Sequence, residues 1–417
     1  MAALIADAVA AALEHVDPAA IARDLRRLVR VPSITGSERA AAAAVIAIAA
    51  ELGLDAELVE FDLEEIRAAA GYPGEEAPRQ ELVGAVVTLP GSDRGAARLA
   101  LNGHIDVVPP GTEPWEHDPW SGEIDGGHVH GRGSLDMKGG VIAALHAMGA
   151  VRAAGASLPG DVVLQAVPSE EDGGLGTFAA LRRDDDFAAA LIPEPSELRI
   201  VCAHGGALTF TGIVRGRTAH AAVRLEGVSA IDRYLPIHAA LHEHEAAVNA
   251  RPRHPLLAGH RLPYPLLVGQ LRAGRWSSQV PEQLTFEGRL GVPVGQSLRD
   301  ARAELERAVA EAADDRGPPV EIVWSGGQFG PGETAVDDPW VALVQAQAAA
   351  EIGAPPPLTG VGYGCDMRLF CARGIPCVLF GPRGIELAHA VDERVAVADL
   401  ELVARVVARC VLAFSAR

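Results

Sequence analysis

Short, uniformly apolar runs alternate along this chain with longer stretches in which apolar residues recur every three or four positions. Residues 82–89, 98–102, 161–167 and 188–192 are runs of the first kind, bounded by turn residues, and they predict strands. Residues 139–154 and 174–183 have the helical period. Residues 3–55, rich in Ala and Leu, predict two helices separated by a loop at Pro32. Residues 60–80 carry charges, two prolines and no clear period, and predict a surface excursion. The stretch 108–133 holds several Pro, Gly and Trp residues and predicts a long irregular loop, a type usually kept for function. Strands alternating with helices predict an α/β sheet, largely parallel, with ligand groups beyond the carboxyl ends of the strands.

The pattern changes near residue 204. Strands are expected at 207–215, 266–271, 284–293 and 320–324, with helices at 227–250 and 298–314. That β-α-β-β-α-β order is the ferredoxin-like arrangement. Helix and strand alternation then resumes with 340–353, 374–380 and an amphipathic final helix, 396–416.

The chain has 417 residues, 49% of them hydrophobic, which is enough for a folded core of two or three domains. A formal net charge of −19 and a pI of about 5.2 argue against nucleic acid and anionic membranes as partners. The five cysteines form no CxxC pair, so reduced thiols and a cytoplasmic location are expected. The first residues lack a basic segment ahead of an apolar stretch, so no signal peptide is expected. No uncharged apolar run reaches the roughly 20 residues of a membrane span.

Candidate chemistry sits where the strands should end. His104 and Asp106 stand in Leu-Asn-Gly-His-Ile-Asp, and Asp136 in Gly-Arg-Gly-Ser-Leu-Asp-Met-Lys-Gly-Gly. Glu170-Glu171 follows Val-Pro-Ser, Glu194 lies between two prolines, and His389 precedes Asp392-Glu393. Residues two apart on a strand face the same side, so Asp106 is expected to accept a hydrogen bond from the second ring nitrogen of His104. Adjacent carboxylates such as Glu170 and Glu171 repel one another unless cations or a proton relieve them. Taken singly, each motif has a plain alternative: a solvated acidic loop, a flexible or rigid turn, or a surface histidine. Together and in this order, imidazole and carboxylate donors suit two divalent metals with one bridging carboxylate and a spare carboxylate as general base. No Gly-x-Ser-x-Gly elbow supports a serine route. If His389 completes this site, the ferredoxin-like unit is an insertion, giving 1–203 and 326–417 as one catalytic domain and 204–325 as the inserted one.

These motifs resemble those of the M20 family of metallopeptidases and deacylases, through nearly the whole chain. The resemblance implies that His104 binds one metal with Asp106 orienting it. It implies that Asp136 bridges both metals, commonly through a cis peptide to the next residue. Glu170 becomes the general base, Glu171 and His389 ligands of the second metal, and Glu194 a ligand of the first. The inserted unit resembles the family's lid and dimerisation domain, so a homodimer is expected. Gly216-Arg217-Thr218-Ala219-His220 resembles the motif whose histidine stabilises the oxyanion in the partner's site, which assigns that role to His220. Arg289 and Arg368 match positions used for a substrate carboxylate. Gln279 stands where many relatives carry asparagine, and Gly381 matches a glycine near the late histidine.

The expected activity is metal-dependent hydrolysis of the amide bond of a small N-acyl amino acid, deacetylase-like. Two divalent ions per chain are expected, zinc first, with cobalt or manganese also fitting the donors. A dipeptidase, a carboxypeptidase or a desuccinylase is the alternative within the class. A non-catalytic ligand-binding relative is the alternative outside it, and the retained Glu170 argues against it.

Overall fold

The computed structural model describes residues 2–415, and the chain divides into two compact units. The first comprises residues 1–202, 333–359 and 366–417; the second comprises 203–332 and 360–365. The second unit thus runs to residue 332 rather than 325 and takes a later short segment as well.

The first unit is built on most of a nine-stranded sheet. From one edge inward its strands are Asp55–Phe61, Leu82–Leu89, Val162–Val167, Leu99–His104, Ala189–Ile192, Cys377–Leu379 and Ile200–His204. The four strands from Val162–Val167 to Cys377–Leu379 run parallel, and the strands flanking them are antiparallel. The sheet is therefore mixed, with its parallel part at the centre. Its central strands are buried at every position because both faces are covered. That removes the usual alternation and explains their uniformly apolar sequences. Helix Gly139–Ala153 is buried almost all round, packed between the sheet and helix Val397–Phe414. Residue 416, included in the expected final helix, lies outside the described residues.

The first segment forms three helices, Ala2–Leu13, Pro18–Val29 and Arg39–Glu51, because the chain breaks at Asp17-Pro18 as well as at Pro32. Asp17 caps the second helix through Ala19 N–H, and Pro18 starts it where its missing N–H costs nothing. Residues 55–61 are an edge strand, which takes the last residue of the expected helical segment and the first two of the expected excursion. Within 108–133, a hairpin of Ile124–Asp125 and His128–His130 pairs with Arg394–Ala396.

The second unit has a four-stranded antiparallel sheet in the order Leu266–Ala273, Gln283–Val292, Gly206–Arg215, Glu321–Phe329. Helices Ala230–Asn249 and Leu298–Ala312 begin at serine caps, Ser229 and Ser297, and pack together over the sheet. This is the ferredoxin-like order read from the sequence. Its core holds Leu208, Phe210, Ile237, Phe286 and Leu305, with Phe210 and Phe286 edge-to-face at 6.1 Å. Among the described residues, no helix is long and apolar enough to cross a membrane.

Candidate active site

The parallel strands of the first unit end on the same edge of the sheet, and there the chemistry collects. His104 is the last residue of its strand, Glu170-Glu171 follows Val162–Val167, and Glu194 follows Ala189–Ile192. Asp136 is carried by the tight turn Ser134–Lys138 ahead of helix Gly139–Ala153, and the Asp136–Met137 peptide is cis. That helix can approach because Gly140 has no side chain: a Cβ there would lie 2.1 Å from the Pro193 carbonyl oxygen. His389 lies in an irregular segment with φ +62°, and Ser169, just before the glutamate pair, has φ +63°. Left-handed backbone at a non-glycine residue persists only where its surroundings hold it.

Two clusters meet at Asp136. His104 Nε2 lies 3.1 Å from Asp136 Oδ1 and 3.5 Å from Glu194 Oε1. His389 Nε2 lies 3.4 Å from Asp136 Oδ2 and 3.0 Å from Glu171 Oε2. Donor atoms of His104, Asp136 and Glu171 fall within 4.8 Å of one another, as do those of His104, Glu170 and Glu194. The brace on His104 differs from expectation. Its Nδ1 is 2.9 Å from the main-chain oxygen of Asp106 and 3.6 Å from the carboxylate. The carboxylate turns instead to Glu170 N–H at 3.1 Å, Glu171 N–H at 3.2 Å and the Thr35 hydroxyl at 3.0 Å. Three donors pull it toward the glutamate pair, so one residue braces the histidine with its backbone and both glutamates with its side chain.

The electrostatics ask for cations. Burial, then the nearby carboxylate of Asp366, pushes the proton affinity of Glu170 well above the ordinary range. Burial does the same to Glu194. Hydrogen bonds to Asp136 and Glu171 push His389 up to about 10. Burial would raise Asp136, but bonds from His104 and His389 outweigh it and hold it below the usual range. This surplus of buried carboxylate oxygens, with two imidazoles among them, has the donor chemistry of a divalent-metal pair.

Further residues support the site. Asp172 pairs with the buried Arg79 at 2.9 Å and accepts the N–H groups of Glu76 and Ala77, which ties part of the 60–80 excursion beneath the glutamate loop. Asp172 directly follows the glutamate pair, but nothing in the sequence marks Arg79 as its partner. Glu393 accepts the N–H of Asp136, and its position four residues after His389 was the available signal.

The remaining candidates are placed as follows. Arg368 is buried, and its guanidinium donates to the Gly173 carbonyl at 2.7 Å, so it secures the Glu170–Gly174 loop. The N–H of Gly381 donates to Ser196 Oγ and its carbonyl accepts from Leu198 N–H, so both its polar groups are engaged. A Cβ on Gly381 would lie 2.1 Å from the Glu194 carbonyl oxygen, so this glycine lets the chain pass directly behind Glu194. His220, Gln279 and Arg289 belong to the second unit. There His220 and Gln279 form an isolated antiparallel bridge, and His220 Nδ1 accepts the N–H of Ala222 at 3.1 Å. Arg289 is exposed on its strand, 5.5 Å from the ring of Phe329.

Known proteins resemble this chain in sequence and fold. The profile of Peptidase family M20/M25/M40 matches residues 100–413. A succinyl-diaminopimelate desuccinylase of Methylobacterium sp. (strain 4-46) is 30% identical, over 93% of this chain and 94% of its own. An N-formyl-4-amino-5-aminomethyl-2-methylpyrimidine deformylase of Bacillus subtilis (strain 168) is 27% identical, over 76% of this chain and 80% of its own. Among solved structures, the di-peptidase Dug1p of Saccharomyces cerevisiae superposes with a TM-score of 0.73 at 15% identity, covering 99% of each chain. The profile covers most of the chain and a relative is 30% identical over nearly all of it, so the chain belongs to peptidase family M20/M25/M40, hydrolases of C–N bonds.

Proposed function

We propose that the chain hydrolyses the amide bond of a small N-acyl amino acid, with Glu170 as the general base. The observation that carries this reading is Asp136, whose two carboxylate oxygens face different histidines, Oδ1 toward His104 and Oδ2 toward His389. His104, Glu194 and Asp136 would hold one divalent cation, and His389, Glu171 and Asp136 the other. When bound, such a pair polarises the scissile carbonyl and lowers the pKa of water. Zinc fits these nitrogen and oxygen donors, and cobalt or manganese accept the same set.

Glu170 takes the proton of the attacking water and returns it to the leaving amine. Asp106 fixes base and ligand together through their adjacent N–H groups. The exposed guanidinium of Arg289 is the candidate for the substrate's carboxylate, whereas the buried Arg368 is committed to the loop that carries the base. We assign His220, with Gln279 beside it, to oxyanion stabilisation at the site of a partner copy. A homodimer through the second unit is supported by its edge strand Leu266–Ala273, which exposes Leu267 and Leu271.

The desuccinylase relative favours a second reading, in which the acyl group is succinyl. Release of free amine from N-acetyl, N-formyl and N-succinyl amino acids and from dipeptides separates these. Glu170→Gln should lower turnover by about 10²–10⁴-fold with metal content unchanged. Turnover equal to wild type would overturn the assignment of the base.

A further inference from the structure

The two halves of the site are not held alike. His104 ends a central strand, is buried, and has the Asp106 carbonyl behind its Nδ1. The side chain of His389 is 52% exposed, its backbone is left-handed, and no strand carries it. It lies between the turn Ile385–Leu387 and the short strand Arg394–Ala396.

Behind this weaker half is a buried ion pair. Glu393 Oε1 accepts the N–H of Leu135 at 2.9 Å and of Asp136 at 3.1 Å. Its Oε2 takes Arg132 Nη1 at 2.6 Å. The other terminal nitrogen of Arg132 donates to the His389 carbonyl at 3.1 Å. The Glu393 main-chain carbonyl accepts from Gly131 N–H at 2.8 Å, and the ring of Trp115 lies 5.1 Å from the guanidinium. A buried pair is costly to form, and removing one partner leaves the other charge uncompensated. What distinguishes this pair is its targets: main-chain groups of the two segments that carry Asp136 and His389, more than 250 residues apart in the chain.

We propose that Arg132 is a positioning residue that sets the affinity of the His389–Glu171 half of the centre, leaving the His104–Glu194 half largely alone, and that Glu393 holds both Arg132 and the shared ligand Asp136. The inference rests on the two-cation reading. Arg132 holds the carbonyl of His389 and so keeps a left-handed backbone in the one pose that aims Nε2 at Glu171 and Asp136. Glu393 fixes the turn that presents Asp136 and fixes Arg132 in turn. Neither side chain is a metal donor.

The test is zinc binding by the full-length protein in competition with a chromophoric chelator, on wild type, Arg132→Met, Arg132→Lys and Glu393→Gln, with circular dichroism to confirm folding. Wild type should bind two ions. Arg132→Met should keep one at wild-type affinity and bind the second about 10–100-fold more weakly, the range seen when outer supports of metal ligands are removed. Arg132→Lys keeps the charge but cannot span both partners, and it should show the same selective loss if Arg132→Met does not fold. Glu393→Gln keeps an oxygen for the two N–H groups but turns an amide NH2 toward Arg132 and leaves its buried charge uncompensated, so it should also weaken the second ion. Folded variants with both affinities unchanged would overturn the proposal and leave the pair a plain contributor to stability. Equal weakening of both ions by the Arg132 variants would also overturn it. Fewer than two ions on wild type would remove the two-cation reading itself, a different failure visible before any variant is measured.

Discussion

Gly381 shows how little room the site leaves. A methyl group there would meet two main-chain carbonyl oxygens, of Glu194 at 2.1 Å and of Pro193 at 2.7 Å. Backbone atoms cannot swing aside as a flexible side chain does, so Gly381→Ala must displace the segment that carries Glu194. Metal affinity and kcat should fall about 10–100-fold, measured by chelator competition and initial rates. Wild-type values would show that Glu194 tolerates the shift or takes no part. At this scale the sequence was legible where a residue's type and neighbours carried its chemistry: His104, the glutamate pair and Glu194 stand at or just after strand ends, whereas Asp136 and His389 stand in turns away from any strand end. It was not legible where the partner is distant. Arg368 stands at a position read for substrate, and only the fold shows its bond to the Gly173 carbonyl; the Asp106 carboxylate takes Thr35 and two N–H groups while its main-chain oxygen meets the histidine.

Between elements, helix Pro18–Val29 is tied to helix Gly139–Ala153 by a buried charge. Asp24 accepts from His146 Nε2 at 3.0 Å and from Arg27 at 3.0 Å, with Arg23 at 3.3 Å. Burial alone would raise the Asp24 pKa, but these bonds outweigh it and the net shift is downward. With the folded pKa below the unfolded value of about 3.9, the stabilisation is fully present above that value and is lost as pH falls through the folded one. Asp24→Asn should therefore cost about 1–3 kcal/mol near pH 7, and the gap to wild type should close below about pH 4, as read from denaturant midpoints. A pH-independent gap would place the effect in packing instead. The central strands and both long helices of the second unit followed from periodicity. Asp55–Phe61 did not, because its edge position lets polar residues alternate and the alanine-rich run before it extends a helical pattern into it. Ile200–His204 escaped as well: it is a short apolar run at the change of pattern, with little to separate it from the strand that follows.

For the whole molecule, the sequence showed an interrupted α/β domain with a ferredoxin-like insertion, since each unit keeps its own periodicity. The antiparallel flanks of the large sheet were not legible, because strand direction depends on pairing partners that lie far apart in the chain. The proposed dimer belongs to this scale. Leu235, Leu267 and Leu271 are exposed on the second unit, so Leu235→Arg with Leu271→Arg should convert a particle of twice the 43.4 kDa chain mass into a monomer in sedimentation. It should also abolish the contribution of His220 to turnover if that histidine acts on the partner copy. A wild-type monomer with full activity would contradict both assignments.

The central claim is that Asp136 joins two cations and that Glu170 works beside them. Metal content and amine release, measured together on wild type and Glu170→Gln, test it most directly. The account predicts two divalent ions per chain in both proteins, turnover in wild type that a chelator abolishes, and a loss of about 10²–10⁴-fold in the variant. Turnover that survives complete removal of metal, or a Glu170→Gln enzyme as fast as wild type, would contradict it.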